Sequence, residues 1–140
     1  MNKRGNYVRL IVILVVSSIF AISCEDKTDQ KIGVDNITDT WQCKENSTSY
    51  GQSTYTVDIT KSSADSTKIL IDNFYQMGAG IKVTAKLSGF TLNIASQTVD
   101  GFTIAGSGTI SSNYKTVNWT YTVNDGAEVD RVTAVYSRIP

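Results

Sequence analysis

The sequence predicts an all-β domain: an eight-stranded antiparallel up-and-down barrel behind an apolar N-terminal segment. Three observations predict it. From Thr40 onward apolar and polar residues alternate with period two, and β-branched and aromatic residues dominate. Turn-forming residues recur at short intervals, so successive strands are joined by short loops. No stretch shows convincing helical periodicity. One apolar face per strand can be buried inside a closed barrel or between the sheets of a β-sandwich. Consecutive short connections favour the barrel, because closure removes exposed edges and a Greek-key sandwich needs a long crossover.

The candidate strands, in order, are 40–46, 53–60, 67–74, 81–87, 90–96, 102–110, 115–124 and 128–138. Three hairpins test the faces. Ser88-Gly89 as a two-residue loop closes Leu87 against Phe90 and pairs Ala85 with Leu92 and Val83 with Ile94. Asp125-Gly126 is a type I′ signal that closes Asn124 against Ala127, pairing Trp119 with Val132 and Val117 with Ala134. The loop 111–114 closes Ile110 against Lys115, setting Gly106 opposite Trp119 and Gly108 opposite Val117. A glycine facing a tryptophan makes room for the indole or lets the strand bend. All three hairpins place their apolar residues on one face, and a one-residue slip in any of them destroys that agreement.

The N-terminus reads as an address. Lys3, Arg4 and Arg9 precede the apolar stretch from Leu10 to Ile22, which is too short to span a bilayer and fits the core of an export signal. It ends in Ala21-Ile22-Ser23-Cys24. This resembles the lipobox of bacterial lipoproteins, which implies cleavage after Ser23 and lipidation of Cys24. The position three before the cysteine is Ala21, where that family usually has leucine. Two or three acyl chains suffice for stable anchoring. Residues 24–38 are predicted to be a flexible tether before a barrel domain at 39–140. The run Glu25-Asp26-Lys27-Thr28-Asp29 either resembles the surface-export signal of Bacteroidetes lipoproteins or is a solvated charged linker. Cleavage removes three of the 13 basic side chains and none of the 13 acidic ones, so the mature surface is mildly acidic.

Several function classes fall away. The chain has no histidine, hence no imidazole metal ligand and no histidine-based nucleophilic catalysis. Balanced charge argues against nucleic acid. Cys43 shares a face with Trp41 and reads as a buried structural thiol. Asp58 and Asp72 fall on outward faces, which argues against a catalytic carboxylate pair. Gly78 and Gly80 precede no helix, so a phosphate loop is unsupported. No metal site, cofactor or catalytic residue is expected.

The strand pattern resembles small calycin-like, lipocalin-like barrel lipoproteins of the Bacteroidetes. It is carried by Trp41 and Cys43, Tyr55-Thr56-Val57-Asp58-Ile59, Ile71-Asp72-Asn73-Phe74, Ile104-Ala105-Gly106-Ser107-Gly108-Thr109 and Ala134-Val135-Tyr136. The resemblance implies the barrel and an outer-membrane location, exposed at the surface if the export signal holds. It names no ligand. Asp65-Ser66-Thr67 resembles the O-glycosylation acceptor pattern of secreted proteins in that group, with Ser66 as acceptor.

Meander connectivity sends loops 47–52, 75–80, 97–101 and 125–126 to one end. Loops 61–66, 88–89 and 111–114 share the other end with the tether and the C-terminus. A lipid at Cys24 therefore leaves the first end pointing away from the membrane. That end carries the candidate ligand site: Tyr50, Tyr75, Phe102, Trp119 and Tyr121 as aromatic walls, with Glu128 and Asp130 as acids at the mouth. The expectation is a monomeric, non-enzymatic envelope barrel that binds a small apolar ligand or a protein partner. The alternative is a structural or interaction module of the outer membrane with a filled core; an envelope enzyme is the third reading.

Overall fold

The computed structural model describes residues 31–140. Cys24, the segment before it and the tether as far as residue 30 lie outside the described residues. Eight strands run β1 (Asp39–Ser47), β2 (Gly51–Lys61), β3 (Lys68–Asp72), β4 (Lys82–Ser88), β5 (Thr91–Val99), β6 (Phe102–Ile110), β7 (Thr116–Asn124) and β8 (Val129–Arg138). Each pairs antiparallel with the next, and β8 returns to β1, from Trp41 opposite Arg138 to Ser47 opposite Val132, so the sheet closes. The fold is the all-β up-and-down barrel, not the sandwich.

Alternation explains the core. In β1 the inward residues are Trp41, Cys43, Glu45 and Ser47, and in β7 they are Val117, Trp119, Tyr121 and Val123. Trp41, Trp119, Tyr121, Tyr136 and Phe74 are the bulkiest buried side chains and fill the interior. The ladder is interrupted once beside β4. β5 carries a register shift between Ile94 and Gln97. There Gln97 supplies the missing partners itself: its Oε1 accepts from Thr84 N (3.0 Å) and its Nε2 donates to Thr84 O (2.7 Å).

Each of the three hairpins keeps its expected face but is shifted by two residues. Leu87 pairs with Leu92, Trp119 with Ala134, and Ile110 with Val117. The turns supply the reason. Gly89 has φ +56 and occupies the first central position of a Gly89-Phe90 loop, where a two-residue hairpin of type II′ wants its glycine. Phe90 is therefore in the turn, stacked on Tyr114 (5.9 Å, 3°). At 125–128 the Asp125 carboxylate accepts from the N–H groups of Ala127 (2.8 Å) and Glu128 (2.7 Å), which lengthens the turn to four residues. Between β6 and β7 the Ser111 hydroxyl accepts from Lys115 N and Thr116 N.

The glycine expectation changes partner with the register. Gly108, not Gly106, faces Trp119, and Gly106 faces Tyr121. A Cβ on Gly108 would lie 2.8 Å from the Trp119 ring, and one on Gly106 would lie 2.3 Å from Tyr121 Cβ and 2.5 Å from Thr120 O. β6 thus gives up two side chains so that two aromatic rings of β7 can turn inward.

The described part of the expected tether is packed rather than flexible. Ile32, Val34 and Ile37 are buried around a short 3-10 turn, Val34–Asn36, that stoppers one end of the barrel. Three apolar residues at irregular spacing gave no period to read. Trp41 Nε1 donates to Ile37 O (2.9 Å), and the Arg138 guanidinium lies 4.8 Å above the Trp41 ring. Arg138 also donates to Asp39 Oδ2 (2.8 Å), Asn36 O (2.5 Å) and Tyr114 O (3.2 Å). The start of the described chain, the 111–114 loop and the C-terminal strand therefore meet at one end, as the connectivity requires.

Candidate ligand-binding mouth

The opposite end is built around the 73–81 connection between β3 and β4. The sequence reading extended the third strand to Phe74, but β3 stops at Asp72 and Asn73 takes a left-handed conformation (φ +59). That turn throws Phe74 into the barrel. It is fully buried, 4.5 Å from the Tyr121 ring and 6.2 Å from the Trp119 ring. Tyr75 and Gln76 also have positive φ (+54 and +55), strain that a side-chain-bearing residue holds only where its surroundings compel it. Asn73 pins the segment, donating to Thr56 O (2.8 Å) and accepting from Gly78 N (3.0 Å).

The Tyr75 hydroxyl reaches across the mouth and donates to Asp130 Oδ2 (2.7 Å). Asp130 is buried and accepts three further bonds, from Ser47 Oγ (2.5 Å), Thr48 Oγ1 (2.9 Å) and Ser49 N (3.1 Å). Burial by itself would raise this carboxyl; the Ser47, Tyr75 and Thr48 hydroxyls and the Ser49 N–H outweigh it and hold it at about 2. Burial, then the bond to Asp130 and its charge, pushes the Tyr75 phenol upward, so it stays a donor.

Tyr75 is also the centre of an aromatic cluster. Its ring meets those of Tyr50 (6.4 Å), Phe102 (6.3 Å) and Tyr121 (6.4 Å) edge-on. Beside it opens a cleft of about 500 Å³, lined by Tyr50, Tyr75, Phe102, Met77, Glu45 and Asp100 among others. Glu45 lies at its inner side, 7% exposed; its Oε2 accepts the hydroxyls of Tyr55 and Tyr121. Burial is the main cause that raises both phenols.

The expected site residues divide. Tyr50, Tyr75 and Phe102 line the cleft, and Tyr121 lies beneath them. Trp119 does not: it is buried against Phe74 and Tyr136, with no acceptor for its Nε1 among the described residues. Asp130 faces inward but is engaged as a structural latch. Glu128 does not share that face. The longer turn leaves it exposed, accepting from Ser49 Oγ (3.2 Å). Ser66 is exposed in the 62–67 turn at the other end.

Three residues of the mouth were missed. Glu45 and Ser47 share the parity of Trp41 and Cys43, so alternation already aimed them inward. The insertion of Phe74 had only Asn73, tolerant of the left-handed region, as its signal. Cys43 is buried, its thiol pushed up to about 12 chiefly by burial. Asp58 is exposed, opposite Asp72 across β2 and β3; Asp72 stands 3.9 Å from Lys82. Among the described residues no group of histidine, cysteine or acidic side chains is arranged to hold a metal.

The sequence matches no family model and no curated protein. Solved structures do match. A redesigned β-barrel, b11L5F_LGL, is 15% identical with a TM-score of 0.56, over 76% of this chain and 95% of its own. EF1p2_mFAP2b bound to DFHBI is 18% identical with a TM-score of 0.54, over 75% and 95%. A redesigned β-barrel, mFAP1, bound to DFHBI, is 20% identical with a TM-score of 0.53, over 75% and 97%. At these identities the likeness is one of fold, and it identifies the chain as an eight-stranded antiparallel β-barrel.

Proposed function

We propose that this chain is a lipid-anchored barrel of the bacterial cell envelope that binds a small ligand at its open end and performs no catalysis. The observation that carries the ligand reading is the cleft of about 500 Å³ walled by Tyr50, Tyr75 and Phe102. A concave site that sets these three rings beside the polar side chains of Glu45, Ser53, Gln76 and Asp100 suits a small organic guest. Two of the similar barrels are bound to DFHBI. The anchor rests on Cys24 and the export-signal pattern before it, and an N-terminal anchor leaves the mouth facing away from the membrane. The packed interior favours the second reading, an outer-membrane interaction module that works through its exterior.

Native mass spectrometry of the chain purified from its membrane separates the two. A bound small molecule that is lost in Phe102→Asp supports the ligand reading; an unliganded barrel that also takes up no aromatic probe favours the interaction module. Cys24→Ala is expected to abolish acyl labelling and release the protein from membranes. Labelling that persists overturns the anchor.

A further inference from the structure

The charge around the mouth is one-sided. The cleft is lined by Glu45 and Asp100, and the small recess beside it, which shares Tyr50, Tyr75 and Phe102, adds Asp125, Glu128 and Asp130. No lysine or arginine lines either. Among the described residues the ion pairs are Lys61–Asp35, Lys68–Asp65, Lys82–Asp72 and Arg138–Asp39, so none of the five mouth acids is matched by a cation. Loops 48–50, 73–81, 100–101 and 125–128 contain no basic residue, whereas the stoppered end gathers Lys31, Lys61, Lys115 and Arg138.

Glu45 gives this field a point of contact. It is more than nine-tenths buried and lies against the cleft. Both of its phenol donors bind Oε2, and Oε1 accepts no hydrogen bond from the described residues. A neutral apolar guest would strip water from that oxygen and return nothing, and an anion would be repelled. An ammonium group would pair with it, while the faces of Tyr50, Tyr75 and Phe102 attract the same charge through their ring quadrupoles.

Resting on the reading of the mouth as a ligand site, we infer that its guest is a small organic cation, an arylalkylammonium whose charged head meets Glu45 and whose apolar part lies among Tyr50, Tyr75 and Phe102. This narrows the apolar ligand read from the sequence to one with a positive head.

Three probes of one shape decide it: 2-phenylethylammonium, 2-phenylethanol and 3-phenylpropionate, each titrated into the purified full chain by calorimetry. The cation is expected to bind about tenfold more tightly than the alcohol, with the carboxylate weakest. Added salt should narrow that gap. Glu45→Gln should remove most of the cation's advantage over the alcohol. Asp100→Asn, an exposed rim substitution, should reduce the advantage about twofold and stands in if Glu45→Gln does not fold. Equal binding of cation and alcohol overturns the charge inference and leaves the mouth as a ligand site. Binding of none of the three overturns both.

Discussion

The two ends of this barrel are closed by different physics. At one, Ile32, Val34 and Ile37 sink into the core beside Trp41, and Arg138 clasps the result from outside. Apolar burial there is non-directional, and none of the three has positive φ. At the other, the 73–81 segment holds three non-glycine residues at positive φ and is fastened by directional bonds, Tyr75 to Asp130 and Asn73 to Thr56 and Gly78. The strained, polar closure is the one beside the cleft. A stopper of buried isoleucines yields only when the core opens, whereas a latch of hydrogen bonds can be exchanged for bonds to a guest.

This contrast can be broken by substitution, beginning with the largest effect. Trp41→Ala at the stoppered end should cost about 3–5 kcal/mol in denaturant unfolding, since it empties a buried site beneath Arg138. If the chain unfolds at an unchanged midpoint, the stopper contributes no stability and the contrast fails. Gly108→Val acts on the wall that both ends share. It should cost about 1–3 kcal/mol by crowding the Trp119 ring and should shift the tryptophan emission. A neutral effect there would overturn the pairing of β6 with β7. Tyr75→Phe at the mouth should cost about 1.5 kcal/mol, the low end for a hydrogen bond to a charged group, because the Asp130 carboxylate keeps three other donors.

The pH dependence sharpens the same comparison. Asp130 has a depressed carboxyl, so its contribution to stability is complete above the ordinary aspartate range of about 4. It disappears as pH falls through about 2. The stoppered end's apolar contacts have no such dependence. In Tyr75→Phe the Asp130 carboxyl should rise, and the mouth should loosen at a higher pH than in the parent. Carbon NMR of the Asp130 carboxyl across an acid titration reads this directly; an unmoved titration would detach Tyr75 from the latch.

Much of the wall was legible residue by residue. Trp41 and Cys43 face inward as alternation requires, and the eight strands lie close to their expected places. The turns were less legible, because a side chain of the turn decides their length: Asp125 caps its own loop, and Gly89 must sit where φ is positive. At the mouth, Tyr50 and Tyr75 were legible as aromatics on the right loops, and Phe102 as the first residue of its strand. Glu45 was legible by parity but is a carboxylate in a core position, which reads as an exception until its two phenol partners from β2 and β7 are in view.

By itself the sequence determined the strand order, the short connections and which side of each strand faces in, because a period of two is a local property of the chain. Only the tertiary structure decided the register, the stopper and the latch. Two-residue shifts leave every side chain on the same face, so alternation is blind to them. The fates of Asp130, Glu128 and Phe74 depend on donors and rings brought from strands far away in sequence.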